Sequence, residues 1–380
     1  MCGDRQLTMR IQRNQTRLFS KRSRRWDGCL PFLVLVGTVI AVVALGRAWI
    51  GQWLNQHNPR DATIDLQGAQ EAFAQGDLNT TVEYASYLLE SSPSHKQALV
   101  TLVRALIYRS YSEYNLAGDR EEALTLSAQG VSQFPRDNDV LAIRAFALQA
   151  NGRAEEASRL ALRVISDNPK HVMARITLSL AYGSQGIFEA ALREAEVAVR
   201  LGNESGIYQM DSYRVLAIAQ SDLGRYQDAI LSANSAIEFH RRLTPLYFER
   251  ALYYMQIGNT DQATVNYFQV MAYEPDNIKV RFRLCELSSS MRERDTALRY
   301  CGDVTKRAPE WSDGWYQLGR EFFLQGDFIN AQASFNQCTT LQIRQNVPIS
   351  ERRFECWYLQ GQSAEILGDC DALRTTYSQF

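Results

Sequence analysis

Apolar residues between positions 63 and 380 recur at the spacing of α-helices, and no stretch alternates for long as a strand would. A glycine, usually followed five residues later by an alanine, punctuates these predicted helices. Successive punctuating positions are 42, 34, 34, 38, 34, 34, 34 and 42 residues apart. The regular interval predicts stacked repeats, each a hairpin of two helices. The positions are Gly76, Gly118, Gly152, Gly186, Gly224, Gly258, Arg292, Gly326 and Gly368.

Each residue of this pattern has a physical role. A glycine ends a helix because it adopts the left-handed cap conformation without steric cost. The small alanine lets the second helix of the hairpin approach its partner closely. A proline suits the turn into the next unit, because its missing N–H and its fixed φ are tolerated there. Prolines follow 17 residues after the punctuating position at Pro93, Pro135, Pro169, Pro275 and Pro309.

The pattern resembles the tetratricopeptide repeat (TPR) family over residues of about 62–380. Its most specific copy comprises Trp315, Leu318, Gly319, Phe322, Gly326 and Ala331. The resemblance implies an all-α fold: an α-solenoid of stacked helical hairpins, wound as a right-handed superhelix of about eight to nine repeats over residues 63–380. Arg292 stands where the family has glycine, and we expect a local distortion there. The three long intervals predict insertions around residues 105–115, 202–210 and 342–353.

The amino-terminal segment differs from this body in charge and in hydrophobicity. Residues 1–60 carry ten Lys/Arg and two Asp/Glu, whereas residues 61–380 carry 31 and 40, a net charge of −9. Eighteen residues from Cys29 to Gly46 contain no charge, and tryptophans flank the run. An apolar helix of about 20 residues spans a bilayer. We therefore predict a basic segment at 1–27, a transmembrane helix at 28–54, a linker at 55–62 and the solenoid at 63–380.

The basic flank also predicts an orientation. Positively charged segments stay on the cytoplasmic side, which would place the solenoid in the periplasm or outside the cell. A single-pass membrane protein is the first interpretation. A cleaved signal peptide is the alternative, because Ala44, Leu45 and Gly46 resemble a cleavage site, although the basic region is long for one.

Catalytic and cofactor motifs are missing from the sequence. It contains no phosphate-binding glycine loop, no Gly-x-Ser-x-Gly and no His-Glu-x-x-His, and its four histidines lack metal-ligand spacing. We predict neither an enzyme nor a cofactor. An acidic body also argues against a nucleic-acid partner.

Five cysteines lie in the last third of the body. Cys285 and Cys301 fall on the two helices of one unit, and Cys338 and Cys356 fall on consecutive helices across a unit boundary. In an oxidising compartment either pair could form a disulfide that stabilises the fold by ~2–4 kcal/mol. The alternative is that these cysteines are buried thiols, since free cysteine packs as a small apolar residue.

In the TPR family the first helix of each unit lines a concave face that binds partners. The basic clamp that some members use for acidic chaperone tails is absent here, because Leu66, Ala142 and Ile176 occupy corresponding positions. An extended apolar peptide or a helix is the expected ligand, although half of the groove candidates could instead pack against neighbouring helices. The resemblance places in the groove Phe73, Tyr108, Phe146, Ile176, Leu180, Phe248, Leu252, Met255, Phe282, Tyr316, Phe323 and Tyr358.

These features predict a membrane-anchored scaffold or adaptor that mediates protein–protein interactions, with a protein or peptide in the concave groove and the bilayer around residues 28–54. Its expected role is the assembly of an envelope, secretion or membrane complex. A fixed structural subunit of a large membrane complex is the main alternative. A solenoid with a glycan-binding or enzymatic role is the other, and no carboxylate pair or nucleophile stands out for it.

Overall fold

The computed structural model of the protein describes residues 62–379. The predicted basic segment, the transmembrane helix at 28–54 and most of the linker lie outside these residues. Across residues 62–379, no helix combines the length and the apolar character that a membrane crossing needs.

The described residues form eighteen α-helices and one short 3-10 helix, as the all-α prediction requires. The first ten helices are α1 Ala62–Ala74, α2 Leu78–Ser91, α3 Lys96–Ser112, α4 Gly118–Gln133, α5 Asn138–Ala150, α6 Ala154–Asp167, α7 Val172–Ser184, α8 Phe188–Ser205, α9 Gln209–Asp222 and α10 Tyr226–Phe239. The others are α11 Thr244–Gln256, α12 Thr260–Tyr273, α13 Ile278–Ser290, α14 Arg294–Arg307, α15 Ser312–Gln325, α16 Phe328–Arg344, the 3-10 helix Ile349–Glu351, α17 Glu355–Leu367 and α18 Cys370–Gln379. Consecutive helices pair as hairpins, which we number as units one to nine.

The helix ends follow the predicted pattern with two exceptions. The alanines five residues after the punctuating positions are buried, from Ala123 to Ala331. Arg292 does not distort its unit: it adopts the left-handed conformation itself, with φ of +63°, and the helices on both sides are regular. Gly118 is the second exception, because it begins α4 and does not end the helix before it.

The three long intervals of the sequence correspond mainly to longer helices. Helix α3 has 17 residues, α8 has 18 and α16 has 17, whereas most of the others have 13 or 14. The extra turn of α3 brings Tyr111, and Glu113 just beyond the helix, into contact with the start of α13.

The solenoid curls until its early units meet its later ones. Helix α3 packs against α11, and one apolar cluster joins Phe73 of α1 and Tyr108 of α3 to Phe248 of α11 and Val280 of α13. The turn at Gly76, with φ of +79°, lies so close to the backbone of Arg242 that a side chain there would clash. Units one to seven, residues 62–307, therefore close into what we call the ring. Units eight and nine, residues 312–379, continue the stack, and we call them the arm.

Two disulfides connect adjacent helices. Cys285 of α13 is bonded to Cys301 of α14, with their Cα atoms 5.3 Å apart. Cys338 of α16 is bonded to Cys356 of α17, with their Cα atoms 6.2 Å apart. The first joins the two helices of unit seven, and the second joins unit eight to unit nine.

Candidate functional site

The first helices of units two to seven surround the centre of the ring. These six helices, α3, α5, α7, α9, α11 and α13, contribute most of the side chains around a cavity of about 430 Å³, to which Ala191 of α8 and Tyr267 of α12 also contribute. Apolar side chains such as Phe146, Leu180 and Phe248 line much of its wall, and Leu252 lies at its mouth, 45% exposed. A network of charged side chains lies beside this cavity, and a second cavity, of about 810 Å³, opens on the other side of Arg104, next to Phe73 and Tyr208.

The network begins at Asp211 of α9, which is buried. Its carboxylate accepts hydrogen bonds from the Tyr108 hydroxyl at 2.7 Å and from Arg104 Nε at 3.0 Å, both on α3. The Arg104 guanidinium also lies 4.2 Å from the ring centroid of Phe73 on α1. Burial would lower the pKa of Arg104, but the Asp211 carboxylate outweighs this effect and raises it. Arg104 is therefore charged, and α3 and α9 are joined across the ring by a buried ion pair.

Arg214 of α9 extends the network towards the cavity. Its guanidinium donates to both carboxylate oxygens of Glu249 on α11, at 2.6 and 3.0 Å, and lies over the rings of Tyr108 and Tyr111 at 5.2 and 5.6 Å. Burial opposes the charge of Arg214, but Glu249 keeps its pKa well above the usual value. The bidentate pair leaves the Arg214 charge locally neutralised.

The loop after α3 holds the ring closed. The Glu113 carboxylate accepts hydrogen bonds from the backbone N–H groups of Ile278 and Lys279, at 2.6 and 2.8 Å, at the start of α13. Carboxylates at this position satisfy N–H groups that the helix leaves unpaired. Beyond it, the ring of Tyr114 stacks on Trp311 at 4.3 Å, and its hydroxyl donates to Glu310. We call residues 111–114 the closure segment.

Lys279 lies where the closure segment meets the cavity. Its amine donates to the backbone carbonyl of Tyr111 and lies 4.8 Å from the centroid of the Phe248 ring. Burial lowers the pKa of Lys279 to about 8, and the neighbouring Arg283 adds to this effect, while Glu113 and Glu249 oppose it. In the described part of the chain, no carboxylate lies within salt-bridge distance of this amine.

Most of the predicted groove residues within the ring are buried against its interior. Tyr108, 1% exposed, belongs to the charged network, and Ile176 packs in the same core as Phe146. Met255 accepts a hydrogen bond from the Tyr267 hydroxyl through its sulfur at 3.6 Å. Four of the predicted residues come together around the cavity: Phe146, Leu180, Phe248 and Leu252.

The other predicted residues lie outside the cavity. Phe282 packs on Trp311 at 4.6 Å, and Tyr316 faces Phe335 and the Arg353 guanidinium. Phe323 packs on Phe328 at 5.3 Å. Tyr358, on the first helix of unit nine, is 62% exposed. The predicted set therefore divides into a ring group that is mostly buried and an arm group that is more accessible.

Sequence reasoning did not predict the charged network. A usable signal existed: Arg214 stands ten residues before its glycine, where Ala142, Ile176, Phe248 and Tyr316 stand in other units. A cation in an otherwise apolar column indicates a buried partner elsewhere in the chain. Its partner Glu249 is the residue after Phe248, and no regular spacing distinguishes it.

Comparison with known proteins supports the repeat class. Residues 312–342 match the family profile of the tetratricopeptide repeat. No curated protein matches the sequence significantly. The structure of the anaphase-promoting-complex heterotetramer of Cut9 and Hcn1 is similar, with a TM-score of 0.53 and 13% identity over 79% of this chain. This chain spans 59% of the length of that one.

Human IFIT1, solved as a dimer with m7Gppp-AAAA, is similar at a TM-score of 0.52 and 13% identity, over 81% of this chain and 80% of that one. A tetratricopeptide repeat protein from Parabacteroides merdae gives a TM-score of 0.43 at 16% identity, over 69% of this chain and 98% of that one. At such identities the first two neighbours establish the fold. The described residues form a TPR-like α-solenoid. Within residues 62–379, no group of three or more His, Cys, Asp or Glu is arranged to hold a metal ion.

Proposed function

We propose that this protein is a membrane-anchored scaffold whose arm binds a protein partner outside the cytoplasm. The observation that carries the proposal is the contrast in exposure along the first helices. Tyr108 and Tyr358 stand at the same repeat position, ten residues before the punctuating glycine, yet Tyr108 in the ring is 1% exposed and Tyr358 in the arm is 62% exposed. On the neighbouring repeat of the arm, Leu324 is 48% exposed. Apolar side chains that are accessible on adjacent repeats are typical of a protein-binding face.

The arm presents these side chains on a firm base. Tyr316 packs on Phe335, the Cys338–Cys356 disulfide joins the two units, and Arg353 Nε donates to the Asp313 carboxylate at 2.8 Å. A face held in this way loses little conformational entropy when a partner binds. The ring, by contrast, offers a cavity of about 430 Å³, which suits a small group and not a helix.

Capture of protein partners from membrane extracts tests whether the arm is a binding face. Full-length protein carrying Tyr358→Asp is expected to lose the partner that the wild type retains, because a charge on the apolar face would have to be buried. Leu231→Asp is the matched control: Leu231 is 65% exposed on α10 of the ring, and its substitution is expected to leave capture unchanged. Equal capture by all three proteins would contradict a binding face on the arm.

The membrane anchor and the orientation are proposed from the apolar run Cys29–Gly46 and its basic flank. The disulfides support a body outside the cytoplasm, because disulfides persist in oxidising compartments. Protease added to intact cells or sealed spheroplasts tests this. Digestion of the body, with a cytoplasmic control protein intact, is the expected result. Protection until lysis would place the body in the cytoplasm and would contradict the proposal.

A fixed structural subunit of a large membrane complex remains the second candidate. The exposed apolar side chains of the arm are the observation that favours it, since permanent interfaces are apolar. Solution behaviour separates the two candidates. Full-length protein that stays monomeric in detergent, without other subunits, is expected of a reversible scaffold, whereas aggregation that only co-expressed subunits relieve would identify a structural subunit.

A further inference from the structure

We propose that the cavity at the centre of the ring is a binding site for an amphipathic carboxylate, with Lys279 as the group that pairs with the carboxylate. The site is separate from the arm and does not depend on the protein-binding role. The source of such a ligand can be a free organic acid or the end of a polypeptide, since both present the same chemistry.

The wall of the cavity suits the apolar part of this ligand. Its volume of about 430 Å³ falls within the range of about 300–1,000 Å³ that is usual for small-molecule sites. Eight different helices build it, so its shape is set by the closed ring and not by one loop. The apolar lining residues are Phe146, Leu180, Val215, Ile218, Phe248 and Leu252.

The charges of the lining favour an anion. Three cations, Arg214, Lys279 and Arg283, and two carboxylates, Glu249 and Asp222, line the cavity. The cations outnumber the carboxylates of the lining by one, within a body whose net charge is −9, and burial raises the pKa of Asp222, which disfavours its negative charge. A positive cavity in an acidic protein attracts an anionic ligand over a neutral one.

Among the three cations, Lys279 is the one left for a ligand. Arg214 is paired with Glu249, and Arg283 Nη1 donates to Glu286 at 2.6 Å. The Lys279 amine instead meets a backbone carbonyl and an aromatic face, which leave an ammonium group with donors to spare. A single available cation suits a monoanion better than a polyphosphate.

The titration of Lys279 agrees with this geometry. The groups that face it are Tyr111 of α3, Arg120 of α4, Glu249 of α11, Arg283 of α13 and the Glu113 carboxylate. Burial is the largest cause that lowers the pKa of Lys279, and together with these groups it brings the pKa to about 8. A bound carboxylate would favour the charged amine. Ligand binding is therefore expected to weaken as the pH rises above about 8, and to be accompanied by proton uptake there.

Isothermal titration of the full-length protein tests the site with N-acetyl-phenylalanine, and with N-acetyl-phenylalaninamide as its uncharged counterpart. The acid is expected to bind at least about tenfold more tightly than the amide, because charge-assisted hydrogen bonds discriminate by about this much or more. Equal affinities, or no binding of the acid at millimolar concentration, would overturn the proposal.

Variants assign the effect to the cavity. Lys279→Met is expected to weaken binding of the acid about tenfold, and Lys279→Arg to retain most of it. Lys306→Met is the matched control, because Lys306 is exposed on α14 and does not line the cavity. Leu252→Glu adds a carboxylate at the exposed mouth without disturbing the core, and we expect it to weaken the acid as well. Unchanged affinity in Lys279→Met would overturn the proposal.

Two further probes identify the source and the class of ligand. The first probe is a short peptide that ends in leucine with a free carboxylate. If it binds more tightly than N-acetyl-phenylalanine and loses affinity on amidation, the result would support the proposal and assign the ligand to polypeptide ends. A free acid that binds better than the peptide would support an organic acid. Tighter binding of a 5′-triphosphate tetranucleotide than of either would overturn the carboxylate assignment.

Discussion

The ring and the arm are built from the same hairpin unit, yet Tyr108 of the ring is buried while Tyr358, at the same repeat position in the arm, is 62% exposed. In the ring, α3 meets α9 through Asp211 and meets the start of α13 through Glu113. In the arm, the corresponding first helices carry Tyr316 and Tyr358, and the Arg353 guanidinium that lies over the Tyr316 ring is in a partly exposed ion pair with Asp313. The repeat pattern therefore determines the hairpin unit, while the contacts of a few charged side chains determine whether the concave face of a unit is covered by other units.

Substitution of Asp211 is expected to have the largest effect on the stability of the ring. Asp211→Ala leaves Arg104 and the Tyr108 hydroxyl buried without their partner, and we expect the free energy of unfolding to fall by about 3–5 kcal/mol. Denaturant unfolding measures it. Asp313→Ala is the control from the arm, and its partly exposed ion pair predicts a loss of at most about 1 kcal/mol. Similar losses in both variants would contradict a special role for the buried network.

Removal of the Cys338–Cys356 disulfide allows the arm to be destabilised without affecting the ring. We expect the double variant Cys338→Ala and Cys356→Ala to destabilise unit nine by about 2–4 kcal/mol, and hydrogen exchange of α17 and α18 to rise while that of the ring does not. The variant Cys285→Ala and Cys301→Ala is the control, since its cysteines join two helices of a single unit. Faster exchange of α17 in this control would show that the arm depends on unit seven.

The closure segment is expected to contribute less than the network. Glu113→Ala removes the acceptor of two backbone N–H groups, and we expect a loss of about 1–3 kcal/mol with faster exchange of the amides of Ile278 and Lys279. The exposed Glu121 on α4 supplies the control Glu121→Ala, for which the amide exchange at α13 is expected to stay unchanged. Protection of both amides in Glu113→Ala would mean that the ring closes without this contact.

The titration of Lys279 is expected to make the free energy of unfolding depend on pH, and this effect is smaller than those above. Because the pKa of Lys279 is about 8 when folded and close to 10.5 when unfolded, the unfolded chain holds more protons between these values. The stability of the wild type, relative to Lys279→Met, is therefore expected to rise from pH 8 to 9.5, by about 1–2 kcal/mol. A flat difference over this range would indicate an ordinary lysine pKa.

The smallest effect concerns Arg292, the left-handed residue beside the ring disulfide. Arg292→Gly relieves the steric cost of a positive φ, and we expect a gain of up to about 1 kcal/mol in thermal or denaturant unfolding. Arg299→Gly, in the middle of α14, is expected to lose about as much, because glycine disfavours a helix interior. A loss in both variants would mean that the arginine side chain stabilises its turn by other contacts.

The repeat unit was predictable because its determinants are local. Glycine, alanine and proline act within one hairpin, and the helices between them depend on residues three or four positions apart. The excess length of the interval around residues 105–115 was visible as well. Its effect was not, because Glu113 contacts Ile278, 165 residues further along the chain.

For residues 62–379, the sequence by itself therefore determined an all-α fold of about nine hairpins and placed the paired cysteines on adjacent helices. Only the tertiary structure decided that seven units close on themselves and that most of the predicted groove residues of the ring are buried. The physical reason is distance along the chain. Arg104 and Asp211 are 107 residues apart, so their ion pair depends on small angles accumulated over several repeats, which no local pattern encodes.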